Sequence, residues 1–241
     1  MLTLYQFPIS HFCEKVRWAL DYKGVDYKLV NLLPGEHVKK LRAIAAKTEV
    51  PVIQLDNEVI QGSADIISWL DQRYPETPLT PAGAEEKKQA QEWEAYVDET
   101  IGPTIRLYFY HYLLGENALI LPILAQGQPL HKRLWFRLIY PRVRSVMRKF
   151  MKLDDRTARI SLKIMQRSIN KLSEHYEQHE FLVGDTFTRA DLAAAALLAP
   201  MISPPQYGVD WPEQYPLPLQ QTIDTLRERL TWVERLYRLY R

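Results

Sequence analysis

Apolar positions in the first 75 residues change period from one short stretch to the next. LTLYQF (2–7) alternates with the two-residue period of a strand, whereas HFCEKVRWALDYKG, which follows, places Phe12, Val16, Ala19 and Leu20 at helical spacing and stops at Gly24. DYKLVNLL predicts a second strand, EHVKKLRAIAAK a second helix, and VPVIQLDNEVIQG two strands that meet at the turn-forming pair Asp56-Asn57. SADIISWLDQRY closes the series with a helix. Beyond it the period is helical, with candidates at 85–114, 131–152, 155–179, 188–200 and 217–237. Gly102-Pro103 is expected to kink the first of these and Pro141 to bend the second.

The order β-α-β-α-β-β-α packs a mixed sheet between helices, as a thioredoxin-like domain does. The proline-rich run PETPLTPAGAEEKK (75–88) falls where the pattern changes and reads as a linker. The expected organisation is a thioredoxin-like α/β domain at 1–77, a linker at 78–88 and an all-helical bundle domain at 89–241.

Composition adds bounds. With 46% hydrophobic and 25% charged residues in 241, the chain reads as a globular protein of one or two domains. A net charge of +2 excludes a molecule that binds polyanions over its whole surface. One cysteine excludes an internal disulfide and a multi-cysteine metal site and suits a reducing, cytoplasmic setting. MLTLYQF lacks the features of a signal peptide, and the longest apolar run, LAAAALLAPMI (192–202), is shorter than the roughly 20 residues that span a bilayer.

Chemistry concentrates in FPISHFCEKVRWAL (7–20). Ser10 stands directly before the first helix and is a good N-cap, its oxygen accepting from a first-turn amide. A capping hydroxyl keeps its own proton, which it can donate to an anion held at the positive end of the helix. Further on, Thr188-x-x-Asp191 precedes an alanine-rich apolar helix as a capping box, a folding signal.

A first strand, then SHFCEKVRWAL, EVPVI, GSADIISWL and an all-helical second half with that capping box resemble the glutathione S-transferase family over the whole chain. The resemblance implies that glutathione is the co-substrate, that no metal is needed, and that Ser10 contacts the glutathione thiol. It also implies a cis Val50-Pro51 bond beside the cysteinyl part of the tripeptide, Ser63 after Gly62 as a helix N-cap that binds the γ-glutamyl carboxylate, and His37, in GEH, near the glycine carboxylate. Gly62 departs from the acidic or amide residue common there. Tyr108 and Tyr112, which share a helix face, are expected to wall the pocket for a hydrophobic electrophile.

The implied reaction is attack of a Ser10-stabilised thiolate on an electrophilic or peroxide-type small molecule. Two alternatives stand beside it: a thiol-disulfide reductase or dehalogenase that uses Cys13 as nucleophile, and a non-catalytic carrier or interaction module. The family also implies a twofold homodimer. The segment 131–152 contains no acidic residue, with Arg133, Arg137, Arg144 and Arg148 on one face and Trp135, Leu138, Ile139, Val143, Val146, Met147 and Phe150 opposite. The expected role of this segment is a core-packed helix with a solvated basic back. Contact with an anionic membrane surface and attraction of acidic substrates are the sharper alternatives. No nucleic-acid-binding module accompanies the charge.

Overall fold

A computed structural model describes residues 1–241 as an α/β domain followed by a helical one. Strands β1 (Leu2–Gln6), β2 (Tyr27–Asn31), β3 (Val52–Leu55) and β4 (Glu58–Gln61) form one sheet in the order β2-β1-β3-β4. β1 runs parallel to β2 and antiparallel to β3, which pairs antiparallel with β4. Helices α1 (His11–Tyr22), α2 (Glu36–Arg42) and α3 (Ser63–Arg73) complete the domain, which has the expected thioredoxin-like form.

The expected second helix ends five residues early, at Arg42. The Gln61 side chain captures the next segment, donating to the carbonyls of Lys47 and Glu49 at 2.8 Å each and accepting from the Lys47 amide at 3.0 Å. A tertiary contact here overrides helix propensity.

The second domain comprises α4 (Ala84–Leu113), α5 (Asn117–Leu124), α6 (Leu130–Phe150), α7 (Asp155–Gln178), α8 (Arg189–Ile202), α9 (Leu217–Arg227) and α10 (Thr231–Tyr240). α3 ends at Arg73 and α4 begins at Ala84, so helix starts inside the segment 78–88 expected as the linker. α4 and α6 each continue through their internal prolines, Pro103 and Pro141. The expected helix 217–237 is divided into α9 and α10 by a 3-10 turn at Glu228–Leu230, and α5 is an element the pattern did not predict.

α8 is the hub, with all its residues buried. Its capping box forms as expected: Asp191 accepts from the Thr188 amide at 2.9 Å, and also from the Leu182 amide at 2.7 Å and the Tyr176 hydroxyl at 2.8 Å. α1, α4 and α10 pack on α8, so the first helix of one domain enters the core of the other.

α1 carries charge into that interface. Lys15 is fully buried and bonds Glu94 at 2.8 Å and Asp98 at 2.7 Å, while Arg189 bonds Glu94 at 2.5 Å from the far side. Glu14, also buried, takes Arg17 at 2.8 Å and Arg241 at 2.9 Å. Buried ions persist only when paired in this way.

α6 departs from the core-packed helix expected at 131–152. Of its 21 residues only Phe136 and Tyr140 are buried, with Ile139, Val143 and Met147 half-buried beside them. Trp135, Leu138, Val146 and Phe150, four members of the expected core stripe, are exposed. The covered strip is narrower than the apolar set because α6 lies over the edge of the structure and meets the core along one line of side chains.

Candidate active site

Four segments meet at one edge of the sheet. β1, β2 and β4 end there and β3 begins there, because β3 alone runs against the other three strands. Ser10 follows β1, the GEH stretch follows β2, Pro51 precedes β3 and Ser63 follows β4. The topology therefore gathers Ser10, His37, Val50-Pro51 and Ser63 from four distant parts of the sequence.

Ser10 is held on every side. Its amide donates to the Phe7 carbonyl at 3.0 Å, its carbonyl accepts from the Glu14 amide at 2.9 Å, and its Oγ accepts from the Cys13 amide at 3.4 Å. The expected N-cap is present, and the hydroxyl retains a proton to donate. The loop before it is fixed from below: the Tyr207 hydroxyl donates to the Ile9 carbonyl at 2.7 Å, and Arg17 reaches the Pro8 carbonyl at 3.3 Å. Neither Tyr207 nor Arg17 stood out in the sequence, since a partner 190 residues away leaves no local signal.

At the end of β2, the His37 Nδ1 accepts from the Gly35 amide at 3.0 Å. An amide can only donate, so the neutral ring carries its proton on Nε2 and can donate it. Partial burial pushes the His37 pKa down, which favours that neutral form at pH 7.

The Val50-Pro51 peptide bond is cis. The Pro51 carbonyl accepts from the Gly62 amide at 3.1 Å, and Gln61 ties the 47–49 loop to the same place. Gln61 is thus a positioning residue that sequence reasoning missed. Gly62 has φ 102°, a conformation that favours glycine. It is Gly62, not Ser63, that is the N-cap of α3; Ser63 is the first helical residue and is buried. The correction leaves the first-turn amides of α3 unpaired within the helix, as an anion site requires. The Asp65 carboxylate lies 3.5 Å from where a Gly62 side chain would begin, so a polar group stands where the absence of one at 62 was noted.

Cys13 is completely buried, and burial pushes its thiol pKa up. Thiolate attack needs an accessible, acidified sulfur, so this environment is the opposite of a nucleophile's.

Tyr108 and Tyr112 do share a face of α4, with rings 5.2 Å apart, but it is the face turned from α1. The Tyr108 hydroxyl bonds Thr222 of α9 at 2.7 Å. The α1-facing side is marked by Gly102, whose carbonyl meets His11 Nε2 at 3.0 Å. At four-residue spacing that side continues through Arg106, whose charge lowers the pKa of His11, and Tyr110, which neighbours Cys13, Tyr140 and Tyr207. Arg106 is exposed, and Tyr110 is half-buried with its pKa pushed up to about 12 by burial. A glycine at 102, where a bulky neighbour approaches, was the available signal for choosing that face.

The chain matches the family model of the glutathione S-transferase N-terminal domain at residues 4–78 and that of the C-terminal domain at residues 135–218. It is 33% identical over 118 residues to glutathione S-transferase 1 of Dianthus caryophyllus, covering 46% of this chain and 52% of that one. It is also 33% identical over 118 residues to a probable maleylacetoacetate isomerase of Caenorhabditis elegans, covering 48% and 55%. The chain thus spans about half the length of these curated relatives. A solved glutathione S-transferase from Methylobacillus flagellatus with glutathione bound superposes with a TM-score of 0.60 at 20% identity, covering 98% of each chain.

Proposed function

Because the chain belongs to the glutathione S-transferase family, we propose that it binds glutathione at the sheet edge and activates its thiol through Ser10. The observation that carries this reading is the Ser10 cap: Oγ stands at the N-terminus of α1, accepts from the Cys13 amide and keeps a proton that it can donate to a thiolate held there. A free thiol has a pKa near 8.5, and lowering it by about two units takes roughly 2.7 kcal/mol. A hydrogen bond to a charged group contributes about 1.5–3 kcal/mol and the helix N-terminus about 0.3–1 more, which is sufficient without a general base.

The remaining groups suit the tripeptide. The Nε2–H of His37 suits the glycine carboxylate. Main-chain groups at Val50 suit the cysteinyl amide. Ser63 with the first amides of α3 suits the γ-glutamyl carboxylate, and Asp65 its ammonium. The second substrate enters beside Arg106 and Tyr110. Replacing Ser10 by alanine tests the reading: kcat/KM for a chloronitrobenzene acceptor should fall at least about tenfold, and a value within about threefold of wild type contradicts it.

The Caenorhabditis elegans relative's name favours a second reading, a glutathione-dependent isomerase. Both reactions begin with thiolate addition. In the isomerase the adduct of a cis-enoic acid rotates about its new single bond and expels the thiolate, so glutathione is recovered. Exposed Arg106 suits an acidic substrate of that kind. Stoichiometric loss of glutathione marks the transferase; isomerised product at constant glutathione marks the isomerase.

A further inference from the structure

α6 leaves an amphipathic surface uncovered. Leu130, Leu134 and Leu138, four residues apart, form one ridge and are 69%, 55% and 81% exposed. Phe150, 85% exposed near the other end, lies about 160° around the helix from Leu134 and is not part of this ridge. Single exposed apolar residues are ordinary, whereas a contiguous apolar surface of this kind marks an interaction site.

The charge around the ridge narrows the partner. Helical spacing puts Arg133 and Arg137 on one flank of the leucines and Trp135 and Arg142 on the other. Of all the basic residues on α6 only Lys132 has a carboxylate partner, Glu36 at 2.8 Å. Thirteen lysines and arginines lie between 131 and 173 against two acids, Asp154 and Asp155, in a chain whose net charge is +2. Positive charge is therefore gathered on α6 and α7, and the rest of the chain is net acidic.

We propose that α6 is a docking surface for an anionic lipid bilayer, with its leucine ridge among the headgroups and acyl ends and its arginines on lipid phosphates. An interfacial helix combines apolar side chains with flanking cations in this way, and neither feature alone holds a protein on a membrane. A nucleic acid offers nothing apolar to Leu134 or Leu138. A second copy seated on this face by twofold symmetry would set arginines against arginines. No helix is long and apolar enough to cross a membrane, so the contact is one of lying on the surface.

The test is flotation of the full chain with phosphatidylcholine vesicles, with and without about 30% phosphatidylserine, at about 0.1 M salt. The protein should float with the anionic vesicles and remain behind with the neutral ones. Leu134→Ser together with Leu138→Ser removes no charge and no buried group; it should weaken anionic binding about tenfold, with sedimentation mass and glutathione conjugation unchanged. Arg133→Glu with Arg137→Glu should abolish flotation. Failure to float with anionic vesicles overturns the proposal. So does undiminished flotation of the leucine variant, which would reduce binding to non-specific charge. A halved sedimentation mass in the leucine variant would assign the face to a second copy instead.

Discussion

The ring of Phe12 occupies the space that a side chain at Gly102 would need. The next contact along α1 is the His11 ring on the Gly102 carbonyl at 3.0 Å. Together they seat the start of α1, and hence Ser10, on α4. Gly102→Ala should therefore destabilise the protein by about 1–3 kcal/mol, because neither the Phe12 ring nor the backbone can yield cheaply. It should also lower kcat/KM with the displaced helix start. Thermal denaturation and steady-state kinetics read both effects.

Burial and the Arg106 charge lower the His11 pKa to about 3, so the ring is neutral in the folded protein. An unfolded His11 protonates near pH 6.5, so between about 6.5 and 3 the unfolded state holds one more proton. Stability must then rise with pH across that window, by up to about 1.4 kcal/mol per pH unit from this residue. His11→Gln should flatten the slope of unfolding free energy against pH between 4 and 6 by up to one proton. An unchanged slope in denaturant titrations would contradict the assignment.

Lys15→Met leaves buried Glu94 and half-buried Asp98 without their shared cation. Arg189 still pairs with Glu94, but the change should cost about 3–5 kcal/mol, seen as a lower denaturation midpoint. Adding Asp98→Asn should restore part of the loss, since it removes a stranded carboxylate.

Cys13 should be silent toward thiol reagents in the native state. Oxidised glutathione should leave no adduct at Cys13 by mass spectrometry, and an aromatic disulfide reagent should react only once denaturant opens the structure, because the sulfur is fully buried.

What was readable in the sequence was what is local. Ser10, the Thr188–Asp191 box and the Asp56-Asn57 turn each declare themselves within four residues, and all three form as expected. The strand order β2-β1-β3-β4, which the element order alone does not spell out, brings the Ser10, His37, Val50-Pro51 and Ser63 segments together at one end of the sheet. Illegible parts depend on partners far along the chain. α4 is apolar on more than one side, and periodicity, which singles out Tyr108 and Tyr112, does not report that Gly102, Arg106 and Tyr110 lie on the side that faces α1. α6 shows a clear apolar stripe, but periodicity reports which residues could be covered, and only the packing of Phe136 and Tyr140 reports which are.

The central claim is that Ser10 stabilises the glutathione thiolate, and the pH dependence of kcat/KM with a chloronitrobenzene acceptor tests it most directly. Wild-type activity should rise through an inflection near pH 6.5, about two units below the free thiol. In Ser10→Ala that inflection should move up toward about 8.5, with activity recovering at high pH where glutathione ionises unaided. An inflection at the same pH in both proteins would contradict the account.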